Sequence, residues 1–163
     1  MVIVVMLLMH FLVAIGGGMS VIAQEGASSA RAPLPPRIAN IRDSSVVEGC
    51  GCYFQFPVEW KKKGSDKYVF MEGIDDEGAW MNIDGKDVNL KLVGSSDRSV
   101  WGVGARSSKR YRANGIAVRI DRVVTRVCRP GDEECESTDY DATFTVTKAG
   151  RKRMIKAKGV CGC

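Results

Sequence analysis

The chain has 163 residues, six Cys, a single His, and a formal charge of +5 from 24 Lys and Arg against 19 Asp and Glu. That length suits one domain, and the charge balance is too mild to name a partner. The histidine, His10, lies in an N-terminal stretch without charged side chains. If that stretch is removed, no imidazole remains for Ser-His-Asp or Cys-His nucleophiles, HExxH zinc sites or His-based acid–base work.

Residues 1–23 read as a signal peptide. An apolar run from Met1 to Ile15 is followed by three glycines and by short residues ending at Ala23, where a signal peptidase would cut. A positive n-region is missing. The three glycines interrupt the run, so a membrane anchor, which needs roughly 20 predominantly apolar residues, is the weaker reading. Residues 24–43, rich in Ala, Ser and Pro and without periodicity, read as a disordered or extended linker. A single β-rich domain is expected over 44–163.

From Cys50 onward the hydrophobic period is two, with turn residues every ten positions or so, as in an all-β fold. Gly51 to Phe56 and Lys67 to Ile74 are the first candidate strands. Ala79 to Ile83 and Lys86 to Val93 flank Asp84-Gly85, a type I′ turn signal, and should form a hairpin. Arg98 to Ala105 is the next candidate. In the following strand Ile116, Val118 and Ile120 share one parity and Val123, Thr125 and Val127 the other, so a bulge is expected at Asp121-Arg122. Ser137 to Thr147 alternates strictly and turns through Ala149-Gly150 into Arg151 to Cys163. Placing Lys148 opposite Arg151 aligns Phe144 with Ile155, Ala142 with Ala157 and Tyr140 with Gly159, so both apolar faces coincide. About eight antiparallel segments predict a small barrel or sandwich, with the barrel favoured by the cysteines.

Six cysteines in an exported chain read first as a disulfide framework. Cys128 and Cys135 bracket a turn-rich tip and should be bridged. Cys50-Gly51-Cys52 opens the domain and Cys161-Gly162-Cys163 closes it. In extended strands each motif puts both sulfurs on one face. Antiparallel first and last strands would then pair Cys50 with Cys163 and Cys52 with Cys161, stapling the barrel shut. The alternative is a thiolate cage for Zn or Cu, or a thiol-redox centre, built from the same four sulfurs.

The basic residues cluster at Lys61 to Lys63, at Arg151 to Arg153, and at a loop formed by Lys109, Arg110, Tyr111 and Arg112. With Trp80 and Trp101, that loop is the candidate binding surface for a protein or an anionic envelope polymer. Nucleic acid is disfavoured because acidic stretches dilute the field. No catalytic motif is visible. The layout of a small, exported, disulfide-stapled β-domain is broadly similar to bacterial periplasmic lysozyme-inhibitor barrels, although no inhibitor motif matches. The expected function is a periplasmic or secreted binding module without enzymatic activity, an inhibitor among the options. Metal handling or thiol-redox work, and a purely structural envelope role, are the alternatives.

Overall fold

Alternating sequence becomes strand wherever one face can be buried, and among the described residues that happens nine times. The computed structural model describes residues 33–46, 49–73, 78–96, 102–129, 131–132 and 135–163. Its strands are β1 (Ile38–Ala39), β2 (Gly51–Gln55), β3 (Phe70–Gly73), β4 (Ala79–Ile83), β5 (Lys86–Ser95), β6 (Arg106–Ala113), β7 (Ile116–Arg126), β8 (Ser137–Lys148) and β9 (Arg151–Gly162). One helical turn, α1 (Pro57–Trp60), starts at a proline, whose fixed φ suits a first helical position. Strands β2 to β9 form a closed antiparallel barrel in meander order, sealed where β9 pairs with β2; β1 lies outside it on β4. The expected leader, 1–23, lies outside the described residues.

The β8–β9 register is the one expected, with Lys148 opposite Arg151, Phe144 opposite Ile155, Ala142 opposite Ala157 and Tyr140 opposite Gly159. Asp84 and Gly85 both have positive φ, 54° and 79°, as a type I′ turn requires, and join β4 to β5 as expected. Up-and-down order therefore gathers the tight turns at 84–85, 114–115 and 149–150 at one end of the barrel. The connection from β2 to β3, which carries α1, falls at that same end; those between β3 and β4, β5 and β6, and β7 and β8 fall at the other.

The interior is built on Phe54, Phe70 and Phe144, each fully buried, with ring centroids 5.2–6.0 Å apart. Tyr111 joins them edge-on to Phe70 at 5.5 Å. Burying each phenylalanine contributes roughly 2–3 kcal/mol. Gly159 makes room for this cluster: a Cβ there would meet the Phe54 ring at 2.4 Å and the Tyr53 carbonyl oxygen at 2.6 Å. Met81, Leu90, Val118, Ile120 and Val146 fill the remaining interior.

Two strand expectations need correction. Of the strand expected at Arg98 to Ala105, the described residues 102–105 are not strand, and the strand that follows is Arg106–Ala113. Residues 97–101, which include Trp101, are outside the described residues. The bulge expected at Asp121-Arg122 also lies later: pairing between β7 and β8 is regular from Ile116 to Val124 and shifts only between Val124 and Arg126. Ile120 therefore faces Phe144 and Val118 faces Val146. The inward series becomes Ile116, Val118, Ile120, Arg122 and Val124. The expected position for the bulge kept an arginine out of the interior; the structure places Arg122 there, 7% exposed.

The stretch expected as linker is shared between two situations. It is described from residue 33 on; Leu34 is exposed, while Ile38 and Ala39 pair with the barrel. β3 covers β4 only as far as Met81, and β1 fills the vacant edge beyond, with Ile38 opposite Ile83 and Ala39 opposite Asn82. Ile38 reaches the main core. Ile41, 8% exposed, instead caps an outer cluster of Tyr53, Tyr68, Met71 and Trp80. Two aspartates hold this strap. Asp87 accepts the backbone N–H groups of Arg42 and Asp43 at 2.9 and 3.2 Å, and Asp84 accepts that of Arg37 at 2.8 Å. Few apolar residues carry the contact, which is why composition reads as linker.

Asp84 also accepts a hydrogen bond from Lys148 Nζ at 2.5 Å. That bond, then the Arg37 N–H, hold its carboxyl below the ordinary aspartate value against the opposing effect of desolvation. A lowered folded value means the contribution is complete above the ordinary value, about pH 4, and fades as pH falls through the lowered one. Amide exchange at residues 37–43 should thus accelerate in acid below about pH 4, and Asp84→Asn should flatten that dependence. Superimposable acid profiles for the two proteins would refute this role for Asp84.

Candidate functional site

Alternation in β6 splits the basic run Lys109 to Arg112 between the two sides of the wall, so it is strand and not the expected loop. Lys109 and Tyr111 point inward; Arg110 and Arg112 point outward. Tyr111 is 1% exposed. Trp80 lies on the outer face of β4, half-buried in the Ile41 cluster and apart from Arg110 and Arg112. The single surface expected from sequence is thus divided into an interior polar cluster, a basic outer wall and an aromatic patch under the strap.

The interior cluster occupies the half of the barrel away from the turns at 84–85, 114–115 and 149–150. Glu72, on β3, is 7% exposed, and its Oε1 accepts hydrogen bonds from Lys109 Nζ at 2.9 Å and Tyr111 Oη at 2.6 Å. Its Oε2 is buried without a hydrogen-bond partner among the described residues. Beside it, Arg122 Nε donates to Ser107 Oγ at 3.2 Å, and the guanidinium lies 5.2 Å from the Tyr140 ring centre. Arg122 Nη1 also approaches the sulfurs of Cys52 and Cys161, each at 3.8 Å. Glu72, Ser107, Arg122 and Tyr140 were not singled out from sequence. Strict period two from Ile116 through Val124 was the signal for Arg122, hidden by the assumption that an arginine must face out.

The cysteines pair as expected. Cys50 with Cys163, Cys52 with Cys161 and Cys128 with Cys135 have their sulfurs 2.01, 2.09 and 2.25 Å apart. The first two staples join β2 to β9, where Cys52 lies directly opposite Cys161. A Cβ on Gly51, between the first two sulfurs, would meet the Glu72 carbonyl oxygen at 2.4 Å, so a side chain there would push β3 away. Three disulfides fit a non-reducing compartment.

The outer wall from β5 to β9 is a lattice of small and basic side chains. One cross-strand row runs Lys91, Arg112, Ala117, Thr147, Lys152; the next runs Arg110, Arg119, Thr145, Met154. A furrow of about 590 Å³ lies between these rows, and a second of about 540 Å³ adjoins it, sharing Val93, Arg112 and Ala117. Arg110 stands directly opposite Arg119, a like-charge pairing that costs stability. Asp121 relieves Arg119 alone, through a bond of 2.7 Å from Nη2 that, with the attraction of its charge, lifts the guanidinium above the ordinary arginine value. Lys91, Arg110, Arg112 and Lys152 form no ion pair with any described residue. A third furrow on the same wall, about 480 Å³, is different. It contains Asp121 and Asp141 among its basic residues, and Lys158 bonds Asp141 at 2.6 Å.

Fold and surface together define a small, closed, disulfide-stapled antiparallel barrel with one basic outer wall. No protein-family model, curated protein or solved structure matches the chain. The resemblance in layout to lysozyme-inhibitor barrels is therefore not accompanied by a match in sequence or fold.

Proposed function

We propose that the protein is an exported, periplasmic or secreted binding module that performs no catalysis, and that the outer wall of β5 to β9 holds an anionic partner. The carrying observation is the set of four cations, Lys91, Arg110, Arg112 and Lys152, standing on one face without acidic partners among the described residues. Surface cations normally intersperse with anions, as they do along the third furrow. The disulfides support the reading by making the frame that presents this face rigid, and by fitting export.

Retention on an immobilised polyanion tests it. The full chain should be retained and should elute earlier as salt rises. Arg110→Ser with Arg112→Ser should weaken retention about tenfold, whereas the charge-matched Lys61→Ser with Lys63→Ser should change it less than about twofold. Equal losses from both variants would reduce the interaction to net charge and remove the site. Stoichiometric zinc or copper on the four Cys-Gly-Cys sulfurs of anaerobically purified protein would instead establish the metal-handling alternative.

A further inference from the structure

Resting on that reading, we infer that the ligand of the basic wall is a linear anionic polysaccharide laid across the strands, not a protein or a nucleic acid. Three observations carry the choice.

The first is the direction of the charges. Strands lie roughly 4.8 Å apart, so the row from Lys91 on β5 to Lys152 on β9 crosses four gaps and spans roughly 19 Å. Arg112 sits within this row, and Arg110 and Arg119 lie one row away. Cations at both ends and near one side make a trough that is open at each end and as long as several sugar rings. The larger furrow follows this direction from Val93 on β5 to Lys152 on β9, and the second lies beside it at the β6–β7 turn.

The second is the floor. Ala117, Thr145 and Thr147 line it, and Tyr111, which also borders it, is 1% exposed and turns its ring into the core. Among the described residues the trough therefore presents no aromatic face. Single-stranded nucleic acid is held largely by stacking on such faces, and protein interfaces are centred on buried aromatic or apolar anchors. Among the described residues of this wall the exposed large apolar side chains are Leu92, Val93 and Met154, which are too few for an interface core. What the floor does offer is two threonine hydroxyls, donors and acceptors suited to sugar hydroxyls between the anionic groups.

The third is the Arg110 guanidinium. Asp121 takes the Nε and Nη2 of Arg119, whereas the Arg110 guanidinium lies over Gly94 on β5 and forms no ion pair with any described residue, leaving a planar fork for a ligand. Such forks bind carboxylate, sulfate or phosphate groups bidentately, which lysine cannot do.

Binding of the full chain to dextran sulfate, polygalacturonate, neutral dextran, poly-glutamate and duplex DNA, compared at equal charge concentration, decides the matter. Dextran sulfate or polygalacturonate should bind at least about tenfold more tightly than poly-glutamate or DNA, with neutral dextran not binding. Lys91→Ser with Lys152→Ser, which removes only the ends of the trough, should cost several-fold in that affinity while melting at the wild-type temperature. Equal or tighter binding of poly-glutamate or DNA, or indifference to the end substitutions, overturns this inference while leaving an anion-binding module in place. Binding to none of the charged polymers overturns both.

Discussion

Replacing Cys50 and Cys163 by serine, or Cys52 and Cys161, should each cost only about 2 kcal/mol, whereas replacing all four should cost on the order of 6 kcal/mol. The staples join residues 113 and 109 positions apart. Either one alone removes most of the chain entropy of that long loop, and the second then closes a ring of only a few residues. The costs are therefore strongly non-additive, and the last staple to go takes with it a large share of a stability that for such domains is about 5–15 kcal/mol. Denaturant unfolding of the two double variants and the quadruple variant measures this. Additive losses would show that the staples act through local packing of the β2–β9 seam.

Lys109→Met should destabilise the barrel by about 3 kcal/mol, because it leaves the buried Glu72 carboxylate with Tyr111 as its remaining described donor. The companion change Glu72→Gln should recover most of that loss, giving a large coupling between the two sites. A lysine on a basic surface loop, as the sequence suggests, would cost under about 0.5 kcal/mol and show no coupling. Thermal melts of the two single variants and their combination separate these cases. Arg110→Ser serves as the control on the same strand, since its side chain is outside.

Contrast between neighbouring residues of β6 also shows what the sequence reveals. Register was readable where both faces of a strand differ in polarity, as in β8 and β9, since a one-residue slip would expose Phe144 and Val146. The cysteine pairs were readable because Cys-x-Cys in an extended strand permits few geometries. Arg106–Ala113 lacked that contrast: its inward residues are Ser107, Lys109, Tyr111 and Ala113, so polar side chains stand on both faces. The same polarity concealed Arg122 and moved the expected bulge three residues early. The interior accepts Lys109 because Glu72, distant in sequence, sits there, and it accepts Arg122 against Ser107, Tyr140 and the Cys52–Cys161 staple. The strap was missed for a related reason: its docking depends on Ile38, Ile41 and two aspartates from β4–β5, not on a pattern of its own.

The binding wall was half legible. Arg110 and Arg112 were singled out, but Lys91, Arg119 and Lys152 become their neighbours only through the β5–β9 register. Trp80 belongs to the strap's cluster, where it packs with Ile41 and Met71.

Since β2 and β9 are bonded neighbours, the ring of eight strands has no privileged starting point. Joining the ends of that seam and opening the chain at 114–115 would leave each pair of adjacent strands adjacent. It would also convert the stapled seam into an ordinary hairpin, while β6 and β7 would lose their covalent connection. The barrel is thus a circular object on which a linear chain happens to be threaded, and a permutant opened at 114–115 would carry a fusion partner at the edge of the basic wall, where Asn114 and Gly115 line the second furrow.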